Sequence, residues 1–392
     1  MSKKNILIID DSALMRRLIS DIINSDNRFF VKDLAANGLE GLDYIIKNRL
    51  EYDAVILDIN MPKMNGLELL DQLLKNLIKI TVIMVSTLTK VGAKETIIAL
   101  ERGAFDFVTK PENYLLAKGE SFKNRLLDTL AVATNAPAVS HAADTDKDTA
   151  DTITQSFSCL SSAKSEPGEG RNRDYVAVSK RIQFAPHKRY KGTKEGKQKL
   201  VAIACSTGGP KSLQYVIPKL PKNLDAPVVL VQHMPAGFTN SLAQRLNDIS
   251  NISGKEAADG DILKKGWVYI APGGKQMKII KRDKGYKVAV LDEPARDGLK
   301  PCANIMYESL MDSDYDEITC VVLTGMGADG TNGIGMLGEK KNVFVFAQNE
   351  DSCVVYGMPK AIAEAKQVDE VVPLEDIANA ITMNVGVLND GR

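Results

Sequence analysis

Histidine is scarce in this chain, with three in 392 residues. A reaction that needs an imidazole base near neutral pH therefore has few candidates. His141 and His187 fall in a polar stretch with no periodic pattern. His233 follows the apolar run Pro227-Val228-Val229-Leu230-Val231-Gln232, where a strand should end. An excess of either charge is also missing: Lys+Arg and Asp+Glu are both 50. That argues against nucleic-acid binding, which usually needs a basic domain. No apolar run reaches the roughly 18 residues that suggest a membrane span, so no membrane insertion is expected. The basic Met1-Ser2-Lys3-Lys4 precedes an apolar run over 5–9 that is too short for a signal-peptide core and ends in two aspartates. The five cysteines are scattered without C-x-x-C spacing. This argues against a disulfide framework or a zinc site and leads us to expect a cytoplasmic protein.

What is present is ordinary for a globular protein: 44% hydrophobic and 26% charged residues. The length suits two or three domains. Apolar runs at 6–9, 31–34, 54–57, 82–85 and 107–108 alternate with helix-period segments such as 66–77 and 91–100. Continuous apolar strands between helices predict a parallel sheet covered on both faces, here a five-stranded flavodoxin-like domain over 1–132. From 133 to 198 the pattern stops. This segment is rich in Ala, Ser, Thr and Asp, then strongly basic over 180–199. It reads as a flexible polar and basic linker, whose patch at 184–190 is either a solvated tether or a docking element. From 199 to 392 the alternation returns, with strands expected at 200–204, 228–232, 267–271, 318–323 and 343–347. Runs at 277–281 and 286–291 flank Asp283-Lys284-Gly285 and predict an antiparallel hairpin. The second domain is therefore expected to be doubly wound α/β and mostly parallel. No internal repeat exceeds the βα period.

In the N-terminal domain Asp10 and Asp11 end the first strand, Asp58 the third and Ser86 the fourth, while Lys110 follows the fifth. Ligands of open parallel sheets bind beyond the carboxyl ends of the strands, so these residues should converge. Three carboxylates brought together repel and need a cation, and oxygen-only ligands favour Mg²⁺. A carboxylate beside Mg²⁺ can take up a phosphoryl group, whose oxygens Lys110 and the Ser86 hydroxyl would bind. The competing reading is that the aspartates only cap helices, but that would not put Asp10, Asp11, Asp58, Ser86 and Lys110 together at the strand ends.

In the C-terminal domain Ser206 sits in Ala204-Cys205-Ser206-Thr207-Gly208-Gly209-Pro210, between a strand and a helix. That context suits a nucleophile elbow, although the motif is Ala204-x-Ser206-x-Gly208 rather than G-x-S-x-G, and such turns also bind phosphates. His233 would supply the base, unless it is structural. Asp329 would orient it, or else cap a helix over 331–337. Gly325, Gly327 and Gly330 surround Met326 and allow the close backbone approach an oxyanion contact requires. The order Ser, His, Asp differs from the Ser, Asp/Glu, His order of α/β-hydrolases. Cys205 is a rival nucleophile, but adjacent strand residues point to opposite faces, and a small buried hydrophobe is the preferred reading.

The N-terminal third resembles response-regulator receiver domains in Ile9-Asp10-Asp11-Ser12, Leu57-Asp58-Ile59-Asn60-Met61-Pro62, Met84-Val85-Ser86 and Val108-Thr109-Lys110-Pro111. The resemblance implies that Asp58 accepts the phosphoryl group from a histidine kinase. It implies that Asp10, Asp11 and the Asn60 carbonyl help hold Mg²⁺, and that Ser86 and Phe107 form a switch pair. The C-terminal half resembles the protein-glutamate methylesterase family of bacterial chemotaxis. The matching motifs are Ser206-Thr207-Gly208-Gly209-Pro210, Gln232-His233-Met234-Pro235-Ala236-Gly237-Phe238-Thr239, Tyr269-Ile270-Ala271-Pro272-Gly273, Leu323-Thr324-Gly325-Met326-Gly327-Ala328-Asp329-Gly330 and Val354-Val355-Tyr356-Gly357-Met358-Pro359. This implies hydrolysis of glutamyl methyl esters on chemoreceptors, deamidation of their glutamines, and no cofactor for that chemistry. The implied catalytic residues are Ser206, His233 and Asp329, with the Met326 backbone in the oxyanion hole, Thr207 nearby, and an inhibitory receiver until phosphorylation. The family usually has Gly-Ala where this chain has Ala204-Cys205. The alternative is a response regulator whose output domain only binds, although no helix-turn-helix pattern supports DNA binding.

Overall fold

The computed structural model describes residues 2–111, 120–136, 197–282 and 285–388. The first sheet comprises β1 (Lys4–Ile9), β2 (Phe29–Ala35), β3 (Ala54–Asp58), β4 (Val82–Ser86) and β5 (Asp106–Thr109). Around it lie α1 (Ala13–Asn24), α2 (Gly38–Asn48), α3 (Gly66–Lys75), α4 (Lys90–Glu101) and α5 (Glu120–Ala133). The strand order is β2-β1-β3-β4-β5, with every pair parallel. This is the flavodoxin-like order, whose switch point lies between β1 and β3. Because successive strand residues point to opposite faces, β1 feeds two cores. Ile6 and Ile8 join Ile19, Ile23 and Leu126, while Leu7 and Ile9 join Leu69 and Ile97.

The second sheet runs β14-β13-β12-β6-β7-β9-β8. Its strands are β6 (Lys199–Cys205), β7 (Val228–Gln232), β8 (Ser253–Glu256), β9 (Trp267–Ile270), β12 (Glu317–Val322), β13 (Val343–Gln348) and β14 (Glu370–Val372), all parallel. β10 (Gln276–Arg282) and β11 (Gly285–Leu291) form the expected antiparallel hairpin as a separate two-stranded sheet. The helices are α6 (Gly209–Val216), α7 (Phe238–Ile249), α8 (Ala303–Glu308), α9 (Thr331–Lys340), α10 (Met358–Glu364) and α11 (Ile377–Val385). Every residue of β6, β7 and β12 is buried, as two-sided coverage requires. β8 and β14 escape the sequence reading because they are short edge strands. Ser253-Gly254-Lys255-Glu256 has no apolar residue, and none of the four is buried.

Chain order and strand order together fix where a site can form. From β6 the chain adds β7, β8 and β9 on one side, then returns to add β12, β13 and β14 on the other. The reversal opens a crevice beyond the carboxyl ends of β6 and β12, where ligands of such sheets bind. Ser206 follows β6 there, and Thr324 to Gly330 follow β12. One apolar cluster runs from Leu57, Met84 and Phe107 of the first sheet to Phe238 of α7 and to Leu230 and Ile203 of the second sheet. Among the described residues no helix is long and apolar enough to cross a membrane. The segment expected as a linker, with its patch at 184–190, lies outside the described residues apart from its ends.

Candidate functional site

The carboxyl ends of β1, β3 and β5 meet in the first domain. Lys110 Nζ lies 2.8 Å from Asp10 Oδ2 and 2.8 Å from Asp58 Oδ2. Asp58 also accepts the Ile59 N–H at 2.8 Å, and Asp10 the Ser12 N–H at 2.9 Å. Carboxylate oxygens of Asp10, Asp11 and Asp58 all lie within 4.8 Å of one another. A hard divalent cation fits that donor set, with Asp11 on the exposed side. Burial pushes the Asp58 carboxyl above its ordinary value, against the opposing pull of Lys110. Burial lowers the Lys110 ammonium, but Asp58 and Asp10 outweigh it and raise it overall. The cluster is therefore one charge-coupled unit.

The expected switch residues point away from that cluster. The Ser86 hydroxyl donates to the Gly92 carbonyl at 3.2 Å and accepts from Thr96 Oγ1 at 2.7 Å. The Asn60 side chain turns to Glu95 Oε2 at 3.0 Å, leaving only its backbone for the cluster. Phe107 is buried and stacks on Phe238 of α7, with ring centroids 4.7 Å apart. Its neighbour Asp106 accepts a hydrogen bond of 2.7 Å from the Thr207 hydroxyl, beside Ser206. Arg245 of α7 grips Glu101 of α4 through two bonds, at 2.5 and 3.2 Å. The edge of the first domain that carries Phe107 thus covers the crevice of the second. A cavity of 620 Å³ remains at this junction, lined among others by Phe107, Lys110, Arg125, His233 and Lys300.

Three segments far apart in sequence build the crevice. Ser206 receives its position from β6: its N–H donates to the Thr324 carbonyl at 3.1 Å, and its own carbonyl accepts the Gly209 N–H at 2.8 Å. His233 follows β7, and its N–H donates to the Cys205 carbonyl at 3.1 Å. The His233 Nε2 lies 2.8 Å from Asp329 Oδ2, with both side chains almost fully buried. An ionised carboxylate there holds a proton on Nε2 and leaves the Nδ1 lone pair free. Among the described residues the Ser206 hydroxyl makes no hydrogen bond.

Asp329 does not cap the helix after it. Gly330 takes that place at the start of α9, without a side-chain bond. Asp329 instead accepts the N–H groups of Ala303 at 2.6 Å and Asn304 at 2.9 Å, and the Cys302 thiol at 3.2 Å. Burial pushes the Asp329 carboxyl up, but His233 and those N–H groups outweigh it and hold it below the ordinary value. It therefore stays ionised at neutral pH. The Asn304 side-chain carbonyl binds the N–H of Gly330 at 3.1 Å and of Gly333 at 2.7 Å, tying the Asp329 turn to α8. Cys302 and Asn304 carry no sequence signal for this role.

The loop after β12 passes directly over Ser206. A Cβ on Gly325 would lie 2.9 Å from Ser206 Cβ and 2.4 Å from Met358 Sδ, so only glycine permits the approach. Among the described residues neither the Thr207 nor the Met326 backbone N–H has a partner. These two unpaired donors follow Ser206 and Gly325 directly in the chain. Cys205 faces the core instead, fully buried, and burial pushes its thiol far above the ordinary range. In the folded protein at about pH 8, iodoacetamide should leave Cys205 unmodified, whereas the denatured chain should react there. Peptide mass spectrometry reads the difference, and alkylation of Cys205 in the folded protein would revive it as a nucleophile.

A receiver joined to a serine-hydrolase-like α/β domain defines the class: a response regulator with an enzymatic output. Residues 6–117 match the response regulator receiver domain family, and residues 201–381 match the CheB methylesterase family. The chain is 39% identical over 378 residues to a protein-glutamate methylesterase/protein-glutamine glutaminase of Bacillus subtilis, covering 96% of this chain and 97% of that protein. It is 38% identical to a protein of Vibrio cholerae with the same name, number 1, covering 97% and 99%. A crystal structure of the Thermotoga maritima CheB methylesterase catalytic domain is 38% identical, covering 47% of this chain and 97% of that one, with a TM-score of 0.46. The chain belongs to the protein-glutamate methylesterase/protein-glutamine glutaminase family.

Proposed function

We infer that this chain is a phosphorylation-activated protein-glutamate methylesterase and protein-glutamine glutaminase of chemotaxis adaptation. The observation that carries the reading is the His233–Asp329 pair beside the Ser206 turn, at the switch point between β6 and β12. Ser206 Oγ attacks the γ-carbonyl of a glutamyl methyl ester while His233 Nδ1 takes its proton. Asp329 stabilises the imidazolium that forms. The N–H groups of Met326 and Thr207 receive the oxyanion. His233 returns the proton to the leaving methoxide, methanol departs, and water repeats the cycle on the acyl-enzyme. A glutamine amide passes through the same kind of intermediate and loses ammonia. These steps call on no cofactor.

The substrate is a methyl-accepting chemoreceptor, and the phosphodonor is a chemotaxis histidine kinase. Asp58 is the phosphoacceptor. Asp10, Asp11, Asp58 and the Asn60 carbonyl would hold Mg²⁺, which would neutralise phosphoryl charge. Lys110 and Ser86 bind phosphoryl oxygens, and Ser86 and Phe107 form the switch. The division is a receiver over 1–132, a linker over 133–198 and a catalytic domain over 199–392, with the enzyme working in the cytoplasm. The near-full-length relatives, all bearing an esterase name, count against an output domain that only binds. Incubation with acetyl phosphate and Mg²⁺ should label the intact protein and not Asp58→Asn, as intact mass reports. Equal labelling of the variant would move the phosphoacceptor elsewhere.

A further inference from the structure

We propose that Gln232 is a positioning residue whose buried side-chain amide ties the backbone of the nucleophile to the backbone of the base. The proposal rests on the assignment of Ser206 and His233 made above.

Pairing between β6 and β7 ends at Cys205↔Gln232. One more backbone bond follows, from the His233 N–H to the Cys205 carbonyl. Beyond it the chains part, Ser206 turning into α6 and His233 entering the loop before α7. Sheet pairing thus stops just short of fixing the two reacting side chains relative to each other. The Gln232 side chain bridges the gap. Its Nε2 donates to the Ser206 carbonyl at 2.9 Å and to the His233 carbonyl at 3.2 Å. The amide has two N–H protons, and both are used.

The amide has a single workable orientation. Its Oε1 accepts the Cys205 thiol at 3.0 Å, and the residue is 2% exposed. Reversed, the buried amide oxygen would face two carbonyl oxygens, which cannot donate to it. The turn is shaped to admit it: a Cβ on Gly209 would lie 2.0 Å from Oε1. The Ser206 carbonyl therefore holds two donors, Gly209 N–H and Gln232 Nε2, which use both its lone pairs. Two other buried glutamines hold neighbouring loops, Gln348 on the Thr324 N–H and Gln276 on the Cys302 N–H. Among these three, only Gln232 bonds to both Ser206 and His233.

Gln232 lies beneath the turn and is away from the crevice, so it should act on the chemical step and leave substrate binding alone. Misplacement of reacting groups by about 1 Å can cost on the order of 100-fold in rate. The test uses the full-length chain, activated with acetyl phosphate and Mg²⁺, on methylated chemoreceptor in membranes, with kcat and KM for methanol release. Gln232→Met keeps the shape and removes the amide; its kcat should fall by about 10- to 100-fold with KM unchanged. In Gln232→Glu an ionised carboxylate faces two carbonyls, whereas the protonated acid regains one donor. Its kcat relative to wild type should therefore rise as pH falls. If Gln232→Met does not fold, the Gln232→Glu profile decides. Wild-type kcat in Gln232→Met, a loss confined to KM, or a Gln232→Glu ratio flat with pH would each overturn the proposal. Ser206→Ala run alongside separates the levels. Turnover retained there sinks the nucleophile assignment itself, whereas an inactive Ser206→Ala with a fully active Gln232→Met sinks only the role of Gln232.

Discussion

Ser206→Ala should lower methanol release from methylated receptor by on the order of 10⁴-fold or more, and His233→Ala should be about as severe. The double variant should lose little beyond either single one, because a nucleophile and its base act as one unit. The geometry behind this expectation is specific. His233 has one ring nitrogen committed to Asp329 at 2.8 Å, and Asp329 is held by Ala303 and Asn304. Asp329→Asn should then be less damaging than Ser206→Ala but still costly. An asparagine amide can offer Nε2 an acceptor, yet it cannot balance the charge of the imidazolium. Thermal unfolding distinguishes lost chemistry from lost fold. Turnover near wild type in Ser206→Ala would reject the serine mechanism, and multiplicative losses in the double variant would reject the joint action of the pair.

Acetyl phosphate with Mg²⁺ should raise the rate on methylated receptor by roughly 10- to 100-fold in the wild-type chain and not in Asp58→Asn. The contacts between the receiver and α7 and the Ser206 turn supply the reason. Phe107 stacks on Phe238, Asp106 holds the Thr207 hydroxyl, and Glu101 pairs with Arg245. An aromatic pair contributes about 0.5–1.5 kcal/mol beyond its buried area. A hydrogen bond to a charged group contributes about 1.5–3 kcal/mol, and a half-exposed ion pair about 0–1 kcal/mol. Together they come to about 2–5.5 kcal/mol, at most the roughly 5.5 kcal/mol that moves a two-state equilibrium from 1:99 to 99:1. A switch that repositions Phe107 can therefore open a closure of this strength. Asp106→Ala and Glu101→Ala should each raise the unphosphorylated rate and narrow the gain from acetyl phosphate. If the double variant Asp106→Ala/Glu101→Ala keeps the wild-type resting rate, the contact is not what restrains the enzyme.

The alternation of apolar strands with amphipathic helices is enough to specify two parallel sheets covered by helices. The strand-end rule points to Asp10, Asp58 and Lys110, because a strand end is a local property of the chain. Ser206 and His233 were legible for the same reason. The role of Asp329 was open between capping a helix and orienting a base, since the sequence cannot reveal which donors meet its carboxylate. The fold shows that Asp329 does not cap the helix after it and brings Ala303 and Asn304 against it from about 25 residues away. The order β14-β13-β12-β6-β7-β9-β8 was likewise hidden, as strand order depends on which faces pack and not on any local pattern. It is this order that puts the ends of β6 and β12 side by side. Thr207 and Asp106 are 101 positions apart, and their hydrogen bond places the end of β5 beside Ser206. Local chemistry names the candidate reacting groups, whereas their placement comes from burial and long-range hydrogen bonds that exist only once the chain has folded.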